Sequence, residues 1–306
     1  MKFYIYAPSY NANSGGCVVL HKLVHIINTE TKHEAFLVPR VFERFQVGSI
    51  KTLLRNFKTY LFLKKEGFSY KNNENFETPI RRVISKDDLL DSIIVYPEIT
   101  SGNPLNAKNV VRWFLHQPGH FTNEVNYSPG ELYYKFNSAI KNFELYKSKL
   151  STSELKVIHY PTDIYNNDLC DTERAGVCYM VRKGGHKSKI HDSNAICIDG
   201  MEHHKIAEVF KRSKKFISYD DYTAYSIFAN LCGCESIVVP DENVTKEQWY
   251  PLESDRYGIA YGTSEEELTW ANETRPKVLE HVDLEHRRSI DNVKGFVQES
   301  IEYFNL

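Results

Sequence analysis

The chain lacks an excess of positive charge, a long apolar run and any cysteine pair at metal-ligand spacing, and each absence removes a class of function. Lys and Arg number 38 against 40 Asp and Glu, a formal net charge of −2. No nucleic-acid partner is therefore expected, because such partners call for a basic patch or stripe. No apolar stretch approaches the roughly 20 residues that cross a bilayer. The first residues, MKFYIYAP, read as a strand and are too short for a secretory leader. The six cysteines are Cys17, Cys170, Cys178, Cys197, Cys232 and Cys234, without a CxxC pair or a repeated spacing. They predict a reducing, cytoplasmic setting and no zinc site. His203-His204, and His186 with His191, lie among charged residues and read as solvated surface. Neither GxGxxG nor a phosphate-cradling GxxxxGK[ST] occurs, and there is no internal repeat.

What is present is a globular α/β pattern. The 306 residues are 42% apolar and 25% charged, enough for two cores of about 150 residues each. Strand-length apolar runs alternate with helix-like stretches, the signature of parallel sheets. Strands are expected at Lys2–Ala7, Glu34–Val38, Ser92–Tyr96, Asn109–Leu115 and Leu155–Tyr160, with a first helix from Cys17 to Asn28. The polar run Pro161–Thr172 reads as a linker, after which a second series begins at Gly176. It continues with strands at Ala195–Ile198, Lys215–Ser218 and Ser236–Val239 and helices at His203–Arg212 and Tyr222–Leu231, before a long closing helix over Leu284–Phe304. Domains are expected over 1–160 and 161–285.

Three features carry candidate chemistry. Gly15-Gly16 follows the first strand and opens the first helix, where a bare backbone and free N–H groups favour an anion. Arg182, Lys183 and Lys187 surround Gly184-Gly185 just after a strand, a cationic loop suited to a diphosphate; the alternative is an exposed basic loop. Tyr219-Asp220-Asp221 ends a further strand, and Tyr222, Thr223 and Ser226 fall at the next helix start, offering amides and hydroxyls to phosphate. One of the two aspartates there is also a natural helix cap.

The second half resembles the donor-binding domain of GT-B glycosyltransferases: Asp220 in an acid-bearing loop, the helix from Tyr222, the Cys232-Gly233 turn, and the strand Ile237-Val238-Val239. The order of Gly15-Gly16, Arg182/Lys187 and Asp220 is similar to that family's glycine loop, phosphate-binding cations and donor-side acid. The resemblance implies two Rossmann-like domains facing across a cleft, with residues 286–306 forming a helix that crosses back to the first domain. Many retaining members carry two glutamates eight residues apart; here those positions would be Asp220 and Phe228. The family often places a histidine after a strand such as VVRWFL, which makes His116 a base or a sugar-holding residue, the alternative being a structural histidine; Glu98, after the strand SIIVYPE, is a second candidate base on the same edge.

The implied activity is metal-independent, hexosyltransferase-like transfer from a nucleotide-diphosphate sugar to a glycan or lipid-linked acceptor of bacterial surface polysaccharide synthesis, with no cofactor. The rivals are a GT-B-like nucleotide-sugar epimerase and a sugar-binding or scaffold subunit without catalysis. Lys51–Lys65, with five basic residues and no acid, reads either as an amphipathic helix on the inner face of a membrane or as a packed helix with a solvated basic face.

Overall fold

The computed structural model describes residues 1–40, 57, 61, 69–168 and 173–306. Apart from Phe57 and Leu61, the basic stretch 51–65 lies outside the described residues, as do Cys170 and the end of the expected linker, 169–172. The chain is α/β and divides into two units, Met1–His159 with His286–Leu306, and Tyr160–Glu285.

The first unit is built on six parallel strands: β1 (Lys2–Ala7), β2 (Glu34–Pro39), β3 (Ile93–Pro97), β4 (Asn109–Phe114), β5 (Leu132–Lys135) and β6 (Lys149–Glu154). Their order is β2-β1-β3-β4-β5-β6. Apolar residues run continuously through β1, β3 and β4 because both faces of those strands are covered. On one face Phe3, Ile5, Val95 and Trp113 join Leu23, Val24 and Ile27 of helix α1 (Gly15–Glu30); on the other, Tyr4, Tyr6, Ile94 and Tyr96 pack with Phe36. The short helix α2 (Lys86–Leu90) leads into β3.

The second unit carries β7 (Val177–Met180), β8 (Ile196–Cys197), β9 (Lys215–Ser218), β10 (Glu235–Val238) and β11 (Ile259–Tyr261). They form a parallel sheet ordered β11-β10-β9-β7-β8. Helices α3 (His203–Arg212) and α4 (Tyr225–Leu231) bring Phe210 and Phe228 onto Cys178, Phe216 and Val238. Two further helices are α5 (Lys246–Trp249) and α6 (Glu265–Thr274). The last helix, α7 (Val278–Phe304), ends within the first unit, where Val293, Phe296 and Val297 join the core and Glu299 accepts hydrogen bonds from Tyr134 and Ser151, each at 2.7 Å.

Four expectations are corrected. Leu155–Tyr160 is not a strand: its Leu155 and Val157 are buried as coil, and Leu155 spends its carbonyl on the indole N–H of Trp113 at 3.1 Å. The strand lies just before it, in the polar segment KLSTSE at the sheet's edge, where only one side chain is fully covered. The run 161–168 is no free linker, since Tyr165 is fully buried and stacks on Phe228 at 4.3 Å. The helix expected from Tyr222 starts at Tyr225, because the Thr223 hydroxyl accepts the Tyr225 N–H and holds the preceding residues in a turn. His191 is not solvated surface: its ring stacks on Tyr179 at 3.6 Å.

Candidate functional site

In open parallel sheets, ligands gather at the C-terminal strand ends where the order reverses. The first sheet reverses between β1 and β3, the second between β7 and β9. All of the sequence-level candidates lie on loops or helix starts that follow strands of these two sheets.

In the first unit, Ser14 caps α1 by accepting the Cys17 N–H, and the Cys17 thiol braces the turn by donating to the Ser9 carbonyl and accepting from the Asn11 N–H. Burial pushes that thiol up to about 11, so it is a neutral brace and not a nucleophile. No acid occupies the first turn of α1, and a Cβ on Gly15 would meet nothing within 4 Å. The helix start is thus open to an anion.

Glu98 follows β3 directly and is only 7% exposed. Its Oε2 accepts the Leu115 N–H at 3.0 Å. Burial raises its pKa, and the amides of Leu115, Glu98 and His116 oppose that rise. A carboxyl so placed is held nearer neutrality than a solvated one, which is what a general base requires. His116 follows β4 and is exposed. Its Nδ1 accepts the Gln117 N–H at 2.8 Å, so a neutral ring carries its proton on Nε2. In that tautomer His116 carries an N–H on Nε2, and Glu98 carries a carboxyl made more basic by burial.

A residue the sequence reading missed holds this edge together. Arg112 on β4 is fully buried and grips Glu131 with two hydrogen bonds, at 2.9 and 2.7 Å. Its remaining N–H groups reach the carbonyls of Thr100 and Gly102, each at 2.8 Å. The loop that carries Glu98 is pinned by one guanidinium. An arginine inside an apolar strand was the available signal.

In the second unit the loop after β7 makes a 3-10 turn over Arg182–Gly184. Arg182 takes φ +37°, a left-handed conformation that costs a non-glycine residue free energy. The amides of Val181 and Arg182 both donate to Asp199, which stabilises the turn. The strained backbone leaves the Arg182 side chain 45% exposed, with Nε 3.9 Å from the buried Asp220 carboxylate and the guanidinium over the Tyr225 ring. Lys183 is exposed beside it. Gly184, expected in a flexible loop, is instead buried against Tyr219.

The other candidates divide between solvent and the fold. The Lys187 side chain is 5% exposed and meets Asp221 at 2.6 Å, Asp241 at 3.2 Å and the Val239 carbonyl at 2.7 Å. Burial raises the Asp221 carboxyl, whereas His186, Asp221 and Lys187 hold Asp241 down to about 2. Tyr219 is buried, its hydroxyl bonded to the Ile190 N–H and to His191, each at 2.7 Å. Thr223 and Ser226 are turned into the fold, and the Ser226 hydroxyl has no partner among the described residues. Tyr222 is 61% exposed, its ring edge-on to Tyr250. Phe228 belongs to the core. Among the described residues no three His, Cys, Asp or Glu side chains gather as a metal-holding group, and no helix is long and apolar enough to cross a membrane.

Comparison with known proteins adds a likeness of shape. No family profile matches the chain, and no curated protein matches it. Among solved structures, bacteriophage T4 β-glucosyltransferase aligns with 100% of this chain and 98% of its own, at 10% identity and TM-score 0.38. A T4 phage BGT structure in complex with its UDP-glucose substrate aligns over the same shares at 10% identity and TM-score 0.35. Sucrose-phosphate synthase from Thermosynechococcus elongatus aligns over 96% and 94%, at 9% identity and TM-score 0.36. Superpositions this loose carry no argument about chemistry, which rests on the side chains above.

Proposed function

We propose that the chain is a glycosyltransferase of the GT-B type that moves a sugar from a nucleotide-diphosphate donor to a glycan or lipid-linked acceptor. The observation that carries this reading is the pairing of Arg182 with Asp220 at the reversal point of the second sheet: an exposed guanidinium on strained backbone beside a buried carboxylate. Arg182, with Lys183, binds the diphosphate, for which a planar guanidinium fork is suited. Asp220 accepts a hydrogen bond from a donor hydroxyl. Lys187 acts indirectly, fixing Asp221 and the neighbouring loops.

To Glu98, on the first unit, we assign the role of base toward an acceptor hydroxyl, and to His116 that of holding a sugar hydroxyl. The acceptor oxygen bonds to the anomeric carbon as the bond from that carbon to the diphosphate breaks, its electron pair leaving on phosphate oxygen. Arg182 and Lys183 stabilise that charge, the main electrostatic demand of the reaction, and no divalent ion is assigned. A role in bacterial surface polysaccharide synthesis fits the same reading. Calorimetry with uridine, guanosine and thymidine diphosphates tests it: one should bind, and Arg182→Glu should abolish that binding. Equal binding by the variant moves the phosphate site elsewhere. Turnover of a nucleotide sugar that isomerises it without an acceptor makes the chain an epimerase, and loss of transfer on chelation overturns the metal-free step.

A further inference from the structure

Two rings in the loop after β4, His120 and Phe121, have no part in the transfer as written. The loop leaving β4 reverses at Gly119 (φ +81°) and Asn123 (φ +57°), closed by the His120 N–H on the Gln117 carbonyl at 3.1 Å and the Asn123 N–H on the Gly119 carbonyl at 2.8 Å. That turn draws His116, His120 and Phe121 together, with centroid separations of 4.1 Å for the two imidazoles, 4.8 Å for His116 and Phe121, and 4.7 Å for His120 and Phe121. Both histidines are exposed and Phe121 is 66% exposed. Burial in the core therefore does not account for the phenyl ring.

An aromatic group open to solvent, on a loop whose His116 amide reaches the Glu98 carboxyl, is the composition of a site for a neutral ring with one apolar face and a rim of hydroxyls. The negative faces of aromatic rings attract polarised C–H groups, and a few fixed polar atoms orient the ligand. The loop itself carries no Lys or Arg between Arg112 and Lys135, and Arg112 is committed to Glu131 and two carbonyls; Lys141 adjoins the loop through its backbone N–H, which donates to Gln117 Oε1 at 2.9 Å.

We propose that His120 and Phe121, with His116, form a stacking platform for a pyranose ring of the acceptor, placing its hydroxyl by Glu98. This rests on the transferase reading and names the class of its acceptor: a glycan whose terminal sugar is neutral.

The test is saturation-transfer NMR with methyl β-glucopyranoside and methyl α-mannopyranoside on the full chain, alongside calorimetry with the nucleoside diphosphate that the wild type binds. Phe121→Ala should weaken glycoside binding by about fivefold, the scale of one lost aromatic contact. His120→Ala should weaken it less, and Phe121→Trp should retain it, all with nucleotide affinity unchanged. Phe121 is exposed, so these variants should keep the wild-type melting temperature. Equal glycoside saturation in wild type and Phe121→Ala overturns the platform, as does displacement of the glycoside by a short single-stranded oligonucleotide at micromolar concentration. Glycoside binding that falls on Phe121→Ala, in a wild type that binds no nucleoside diphosphate, leaves the platform standing and removes the transferase reading instead.

Discussion

A Cβ placed on Gly184 would collide with the carbonyl oxygen and carbonyl carbon of Tyr219. The loops after β7 and β9 touch backbone to backbone at this point, and the contact positions Arg182 next to Asp220. Gly184→Ala must therefore push the loops apart, at a cost of about 1–3 kcal/mol for an overpacked site, and weaken nucleotide-diphosphate binding. Its neighbour is the control. Gly185 has φ −61° and open space around its Cβ position, so Gly185→Ala should change stability by less than about 0.5 kcal/mol. Thermal denaturation of both variants checks this, and equal melting temperatures would remove the close-approach argument.

Lys187 answers two carboxylates from inside the fold, so its removal leaves charge behind. Lys187→Met should cost about 1–3 kcal/mol near pH 7, because the half-buried Asp221 then loses its cation. The pH dependence has a definite sign. Asp241 is depressed to about 2, so its share of stability is present above the ordinary aspartate pKa of about 3.9 and is lost as pH falls toward about 2. The difference between wild type and Lys187→Met should narrow as pH drops below about 4. Urea titrations at pH 7 and pH 3 measure it; a difference that widens in acid contradicts the assignment.

Glu98 has the opposite sign. Burial raises its pKa in the folded state, so its ionisation costs stability. That cost is absent below the unfolded pKa and grows as pH rises through the folded one. Glu98→Gln keeps an oxygen to accept the Leu115 N–H and removes the charge. It should equal or exceed wild-type stability at neutral pH, while transfer falls by about 100-fold or more, the scale of general-base catalysis. The wild-type kcat/KM profile should have its acid limb above the usual glutamate range. A destabilised Glu98→Gln with full activity would falsify the base assignment.

The parts of this molecule that were legible in the sequence are those whose physics is local. β1, β3 and β4 show as apolar runs because both faces are buried, and α3 shows because Ile206, Ala207 and Phe210 recur at helical spacing among polar residues. Arg182 and Asp220 stand out in the sequence because each follows a parallel strand, and the fold sets their side chains 3.9 Å apart. β6 was invisible because an edge strand is free to be polar, and β5 because its aromatic residues fit a packed loop equally well. The fate of Lys187 was decided by Asp241, which is distant in sequence and arrives only when β10 pairs with β9. The same holds for Gly184, whose need for a bare α-carbon is set by the backbone of Tyr219 and by nothing nearby in the chain.

The Arg112–Glu131 pair separates positioning from stability. Both side chains are wholly buried, and the same guanidinium holds the carbonyls of Thr100 and Gly102. Arg112→Met strands the Glu131 carboxylate and frees the loop that carries Glu98; it should cost about 3–5 kcal/mol. Arg112→Met with Glu131→Met removes both charges, so the double variant should be more stable than the single one, a coupling that a double-mutant cycle reads directly. The loop remains unpinned in either protein. The double variant should therefore recover stability without recovering transfer, with amide exchange at Thr100 and Gly102 faster than in wild type. Recovery of both together would mean that Arg112 supports the core alone and leaves Glu98 to be placed by the Leu115 amide.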